Sequence, residues 1–263
     1  MRNNSILPFV NAECFSTQSN EEILRIAARY PGRFIPFCNV DSRSWGNSWK
    51  APLGDILKYY RDKGCRGVGE VCANLQFLDP RVQNLFKGCE DAGLPLIFHM
   101  SPFEGFEYGL VDDAGLLQLE ECLRRFPKLC FLGHSQTYWS EIADYREGNA
   151  ECTWQGTRFG WPSTPIQKEG RIPELMRKNP NLYGDLSANS GFNALNRDLE
   201  YAVRFLNEFQ DRLLFGTDIG GPVQPEHVPL ADLLLKLQAE GKISENVFRK
   251  IAHDNAVRLL GLA

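Results

Sequence analysis

Short apolar segments alternate with longer amphipathic ones along the whole sequence, and this alternation constrains the fold more than any other feature. Helix-like segments separate seven strand-like runs, at residues 6–10, 33–40, 67–71, 95–99, 130–134, 182–186 and 212–217. This order is typical of βαβ units, because parallel strands are buried on both faces and therefore form continuous apolar runs. The sequence predicts an α/β protein with a parallel sheet.

Length and absent motifs narrow the choice among α/β folds. The chain has 263 residues, close to the ~250 that a single (β/α)8 barrel uses. No G-x-G-x-x-G or G-x-x-x-x-G-K-[ST] motif follows a predicted strand, which removes the main support for a nucleotide-binding doubly wound sheet. A closed barrel has eight strands, and seven are recognised. We therefore predict one domain over residues 1–263 with a fold of the (β/α)8 TIM-barrel type, one strand being unrecognised or missing.

Residues with strong positional preferences mark several helix ends. Asn20 is predicted to cap the first helix, and Gly64 is well placed to end the second. Asp79 is predicted to cap the third helix, with Pro80 at its first position. These positions agree with the boundaries that the apolar pattern indicates.

Charge and composition exclude several classes of protein. The 29 Lys and Arg residues oppose 33 Asp and Glu residues, a net charge of −4, and there is no basic block. We expect no nucleic-acid partner, since nucleic-acid-binding modules concentrate basic residues on one face. No run approaches the ~18 apolar residues of a membrane span, so we expect no membrane partner. The eight cysteines never form C-x-x-C, which favours buried thiols in a reducing cytoplasm.

Polar residues that end apolar strands are the candidate functional residues. Glu70, His99, His134 and Asp218 each lie at or just after the end of a predicted strand. Catalytic groups of α/β barrels lie at the carboxyl ends of the strands, and imidazole and carboxylate groups together bind Zn²⁺ or similar ions. Each residue also has a structural alternative: either histidine could be a hydrogen-bonded core residue, Asp218 could cap a turn, and Glu70 could pair with Arg66. Two of only four histidines end consecutive strands, which favours a metal site.

Five short strings in order resemble a known family. They are PLIFH at 95–99, FLGH at 131–134, NLYGDLS at 181–187, LLFGTD at 213–218 and NAVRLLG at 255–261. Together they resemble the amidohydrolase-related family of metal-dependent TIM-barrel hydrolases, decarboxylases and hydratases. On this resemblance His99 matches the metal-binding histidine of the fifth barrel strand, His134 the histidine of the sixth and Asp218 the aspartate of the eighth. Glu70 falls on the fourth strand, where some members carry a bridging Lys or Glu ligand.

The sequence departs from the family pattern at the first strand. Family members open with a strand that ends in His-x-His or Glu-x-His, whereas the four histidines here are 99, 134, 227 and 253. Strand order makes residues 6–10 the second barrel strand. We expect either a gene product that starts upstream or a truncated barrel with an altered site, in which Glu13 is a ligand or a solvated loop carboxylate. Unpaired strand edges would also favour a homo-oligomer.

The resemblance implies a divalent metal ion, Zn²⁺ first, with Mn or Fe as alternatives. Asp218 would serve as ligand and proton shuttle, and His134 would bind the ion or stabilise charge on a substrate oxygen. Arg158 and Arg146, in the long segment 138–171, could bind a substrate carboxylate or could simply be solvated. The predicted function is hydrolysis of a small organic carboxylate, amide or lactone. The alternatives are a metal-dependent decarboxylase or hydratase of a small or aromatic acid, and an inactive barrel with a binding or structural role.

Overall fold

The computed structural model describes residues 5–6, 19–44, 46–106, 108–144, 158, 160–219 and 228–262. The chain divides into two compact units. The first unit comprises residues 1–113 and 117–132, and the second comprises residues 114–116 and 133–263. The prediction of one domain over residues 1–263 stays a prediction.

Nine strands and eleven α-helices are described. The strands are β1 Ser5–Ile6, β2 Phe34–Ile35, β3 Phe37–Cys38, β4 Gly67–Val71, β5 Leu96–Ser101, β6 Leu110–Val111, β7 Phe131–His134, β8 Leu182–Asp185 and β9 Leu213–Leu214. The helices are α1 Asn20–Arg29, α2 Leu53–Asp62, α3 Pro80–Ala92, α4 Leu117–Arg125, α5 Gln136–Ser140, α6 Arg171–Lys178, α7 Ala188–Asn196, α8 Leu199–Glu208, α9 Pro229–Ala239, α10 Glu245–Arg249 and α11 Asn255–Leu260. A π-helical segment, Lys250–Asp254, joins α10 to α11.

The first unit is a parallel sheet with helices between its strands. Its strand order is β3, β4, β5 and the first half of β7, and β6 pairs with β5. β3 and β4 are in parallel register with Phe37 opposite Gly67. All residues of β4 and β5 are buried, as expected for strands covered on both faces.

The second unit continues the strand order with the last half of β7, then β8 and β9. β8 and β9 are parallel, with Asp185 opposite Leu214. Asn255 at the start of α11 is buried, and its side-chain amide donates to the carbonyls of Gln210 and Leu213. These two bonds tie the C-terminal helices to β9.

The predicted fold class is confirmed: the described strands form a parallel α/β sheet of seven strands. The strands that make up this sheet are not the seven that were predicted. β1, which includes Ile6 as the one described residue of the run 6–10, pairs with β2 in a separate two-stranded sheet. The predicted run 33–40 is divided into β2 and β3 at Pro36, because proline has no N–H for a strand ladder. β6 completes the seven strands and was not predicted.

The prediction that Asn20 caps the first helix is wrong. The cap of α1 is Ser19, whose hydroxyl accepts from the Glu22 N–H at 3.2 Å, and Asn20 is the first helical residue. The Asn20 side chain instead exchanges two hydrogen bonds with the backbone of Asn39. Asp79 caps α3 and Pro80 begins it, as predicted.

Two further findings bear on the class of protein. Five of the six described cysteines are buried and none forms a disulfide. None of the described helices combines the length and the apolar character that a bilayer crossing requires.

Candidate functional site

The first unit places Glu70 and His99 in contact near the carboxyl ends of neighbouring strands, and β5 continues two residues beyond the predicted end at His99. Glu70 is the fourth residue of β4 and His99 the fourth of β5, and Glu70 is 6 % exposed. Nδ1 of His99 lies 2.7 Å from Oε1 of Glu70. An ionised carboxylate only accepts hydrogen bonds, so the proton of this bond belongs to Nδ1 and the lone pair of the imidazole to Nε2. Such carboxylate–histidine pairs fix the ring orientation of metal-binding histidines.

The backbone beside this pair depends on a glycine. Gly69 has φ +136°, and a Cβ there would lie 2.4 Å from Cγ2 and 2.6 Å from the carbonyl oxygen of Ile97. A side chain at position 69 would therefore push β4 away from β5 just before Glu70. The amide of Asn39 donates to the Glu70 carbonyl at 2.9 Å, which holds the same stretch from its other side. The ring of Tyr108 packs on His99, with 4.3 Å between ring centroids.

The second unit holds three polar side chains around His134, the last residue of β7. Nδ1 of His134 lies 3.2 Å from Oγ of Ser187 and 3.3 Å from Oδ2 of Asp185. The Ser187 hydroxyl donates to the same Asp185 oxygen at 2.8 Å. On the other side of the ring, Nε2 lies 3.9 Å from Oδ2 of Asp218. His134, Asp185 and Ser187 are buried, whereas the Asp218 side chain is 38 % exposed.

Local backbone geometry places His134 at this position. Ser135 has φ 108° and its hydroxyl caps the short helix α5 by accepting from the Tyr138 N–H. A Cβ on Gly133 would lie 2.1 Å from Cζ of Tyr138, so only glycine lets the buried Tyr138 ring pack against β7 here. Asp218 has φ 55°, a left-handed conformation that aspartate adopts more readily than most residues. The backbone thus has a positive φ directly after His134, the last residue of β7, and again at Asp218, four residues beyond β9.

Of the two arginines predicted to bind substrate, Arg158 is described by the structure and Arg146 is not. Arg158 is 4 % exposed, and its Nη1 donates to Oε1 of Glu141 at 2.9 Å. The same Glu141 oxygen accepts from the N–H of Gly115 at 3.0 Å. Arg146 lies outside the described residues, as do Glu13 and His227. His253 is exposed and pairs with Asp254 at the surface.

Asp185 and Ser187 lie against His134, and sequence reasoning assigned no role to either. Both are part of the string at 181–187, and Asp185 ends an apolar strand in the same way as the residues that were chosen. The same criterion, a carboxylate that closes a buried strand, would have found Asp185. Ser187 carries no comparable signal, since serine is common in turns.

Comparison with known proteins gives a family and a fold. The amidohydrolase family model matches residues 4–262. An uncharacterised TIM-barrel protein of Bordetella bronchiseptica superposes with a TM-score of 0.62 at 21 % identity, covering 97 % of this chain and 76 % of the other. No curated protein matches the sequence significantly.

Two enzymes are also similar in structure. A probable 2-pyrone-4,6-dicarboxylic acid hydrolase of Acinetobacter baumannii has a TM-score of 0.55 at 15 % identity, covering 92 % of this chain and 78 % of the other. A dihydroxybenzoic acid decarboxylase of Polaromonas, with bound manganese and an inhibitor, has a TM-score of 0.56 at 17 % identity, covering 92 % and 74 %. At these identities the likeness concerns the fold. The match of the family model over nearly the whole length shows that this chain belongs to the amidohydrolase family.

Proposed function

We propose that the chain is a metal-dependent hydrolase of a small organic substrate that carries a carboxylate, amide or lactone group. The observation that carries this proposal is the His134–Asp218 arrangement, in which an imidazole Nε2 lies 3.9 Å from a partly exposed carboxylate. Such a pair can take a proton from attacking water and return it to a leaving group. The fold likeness to a pyrone dicarboxylic acid hydrolase supports the same reaction class.

A divalent ion bound by His99 and Asp218 is part of the proposal, with Glu70 as a further ligand; His134 either binds the ion or, in the arrangement developed below, stands beside it with Nε2 unligated. The donor set fits such an ion, because Glu70, His99 and His134 are buried and offer the nitrogen and oxygen atoms that Zn²⁺ binds. Zn²⁺ is proposed first, with Mn²⁺ or Fe as alternatives, and the manganese of the Polaromonas decarboxylase supports the first of these. When bound, the ion supplies Lewis acidity that polarises a substrate carbonyl.

The chain's own residues would then divide the remaining tasks. Glu70 holds the His99 ring through Nδ1, so that Nε2 is the nitrogen offered to the ion. His134 accepts and returns the proton at Nε2, and Asp218 passes it towards solvent. Arg158 and Arg146 stay the proposed partners of a substrate carboxylate; Arg158 would share its guanidinium with Glu141.

Decarboxylation of an aromatic or small carboxylic acid is the second candidate function. It is favoured by the fold likeness to the dihydroxybenzoic acid decarboxylase. The same His134–Asp218 pair could deliver a proton to the carbon that loses CO₂. The two functions differ in their products, since hydrolysis consumes water and releases an acid whereas decarboxylation releases CO₂.

The test is an activity screen of the full chain loaded with Zn²⁺ or Mn²⁺, on a panel of lactone dicarboxylates, amides and hydroxybenzoates. We expect turnover of one substrate class, its removal by chelation, and a loss of ~10²-fold or more in His134→Gln, the usual size of general acid–base effects. His253→Gln is the matched control, because His253 is an exposed histidine paired with an aspartate. Turnover that survives chelation or the His134 change would contradict the proposal, and no turnover of any substrate would favour an inactive barrel.

A further inference from the structure

We propose that Asp185 and Ser187 are positioning residues that hold His134 in the tautomer protonated at Nδ1, with Nε2 directed to Asp218. The inference rests on the proposed function in one respect, namely that His134 acts through Nε2. Asp185 is the last residue of β8, and Ser187 lies between β8 and α7.

A count of hydrogens within the cluster determines the tautomer. The serine hydroxyl has a single hydrogen, and Ser187 donates it to Oδ2 of Asp185 at 2.8 Å. Towards Nδ1 of His134, 3.2 Å away, Ser187 can therefore only accept. The Asp185 carboxylate, 3.3 Å from the same nitrogen, also only accepts. Both of these groups require a donor, so Nδ1 carries a proton, and in the neutral imidazole the lone pair is therefore on Nε2.

The Asp185 carboxylate is itself held in place. Its Oδ1 accepts from the backbone N–H of Ser187 at 3.0 Å. The indole N–H of Trp139 donates to the Asp185 carbonyl at 2.8 Å. Gly216 allows the chain after β9 to pass closely, because a Cβ there would lie 2.8 Å from Cβ of Ser187 and 3.3 Å from Oδ1 of Asp185. A buried and fully engaged carboxylate of this kind fixes ring orientation before substrate binds.

The backbone bond to Oδ1 makes one substitution especially informative. In Asp185→Asn the oxygen of the amide must face the Ser187 N–H, which cannot accept, so the NH₂ group takes the place of Oδ2. The NH₂ group then points at Ser187 Oγ and at Nδ1 of His134. Nδ1 would have to accept, and the proton would move to Nε2. An isosteric amide thus imposes the opposite tautomer with little change of shape, as is known for aspartate–histidine pairs in hydrolases.

The experiment is long-range ¹H–¹⁵N correlation of the histidine side chains in the full chain, as purified and after loading with Zn²⁺. The His134 signals are assigned with His134→Gln. We expect Nδ1–H in the wild type, Nε2–H in Asp185→Asn and retention of Nδ1–H in Ser187→Ala. Asp254→Asn is the matched control beside exposed His253, whose Nδ1 lies 2.9 Å from Asp254, and it should leave the His134 signals unchanged.

The outcomes separate this inference from the proposed function. An Nε2–H signal for His134 in the wild type would overturn the inference even if the chain turns over a substrate. Nδ1–H in a chain without turnover would leave the inference standing and remove the proposed function. With a substrate in hand, Asp185→Asn should lower kcat by about 10²- to 10⁴-fold with KM changed less than about threefold. An equal loss in the Asp254→Asn control would point to a general structural effect and contradict the positioning role.

Discussion

At the scale of residues, two buried histidines share one arrangement. His99 has Glu70 at its Nδ1, and His134 has Asp185 and Ser187 at its Nδ1. Buried carboxylates cost several kcal/mol in desolvation unless they are paired and hydrogen-bonded. In both clusters the carboxylate is paired with an imidazole nitrogen, which directs the opposite nitrogen for use as a ligand or a base.

Glu70→Gln tests the first of these pairs. Replacing the carboxylate removes the charged acceptor of the His99 Nδ1–H, and we expect the affinity for Zn²⁺ to fall by about 10- to 100-fold. Isothermal titration calorimetry of the folded variant measures this change. Glu104→Gln, at an exposed glutamate of the same unit, is the control and should bind like the wild type. Equal affinities of Glu70→Gln and the wild type would contradict the role of Glu70.

The candidate residues could be chosen from the sequence, and their metal-binding and catalytic roles stay predictions. Glu70, His99, His134 and Asp218 follow from one criterion, a polar residue that closes an apolar run. Their hydrogen-bond partners do not follow from it, because the contact between Ser187 and His134 joins residues 53 positions apart. The pairing of Arg158 with Glu141 is also a tertiary contact that spacing along the chain cannot reveal.

At the scale of elements, long periodic segments were predictable and short ones were not. Gly64 was predicted to end the second helix, and α2 ends at Asp62; Asp79 and Pro80 correctly predicted the start of α3. Helix α5 has five residues, too few for a helical period, and α7 contains Gly, Ser and three Asn residues that disfavour helix. Such segments depend on tertiary packing for their stability.

Gly133→Ala tests how closely α5 must approach β7. The new Cβ would overlap the buried Tyr138 ring, and overpacking of this kind costs about 1–3 kcal/mol of unfolding free energy. Urea unfolding followed by circular dichroism measures the loss. Gly54→Ala in α2 is the matched control, since the atoms nearest to its Cβ, in Asp91 and Gly88 of α3, would lie at ordinary distances of 3.5 Å or more. A Gly133→Ala variant as stable as the wild type would contradict the close packing of Tyr138 on β7.

At the scale of the whole molecule, alternation of strand and helix was sufficient to predict the fold class. The parallel sheet and the membership of the amidohydrolase family are both confirmed. The details that remained unpredicted, such as the separate pairing of β1 with β2, concern strands of two residues. Strands that short carry little apolar signal. The predicted small-molecule substrate and homo-oligomer stay predictions.

We propose that this chain binds one divalent ion through His99 and Asp218. Equilibrium dialysis against Zn²⁺ followed by elemental analysis measures it directly in the wild type, in the His99→Ala plus Asp218→Ala double variant and in His253→Ala as the exposed-histidine control. We predict about one ion per chain in the wild type and the control, and less than a tenth of that in the double variant, because protein ligands must supply most of the coordination shell. Equal occupancy in all three proteins, or none in the wild type, would contradict the account.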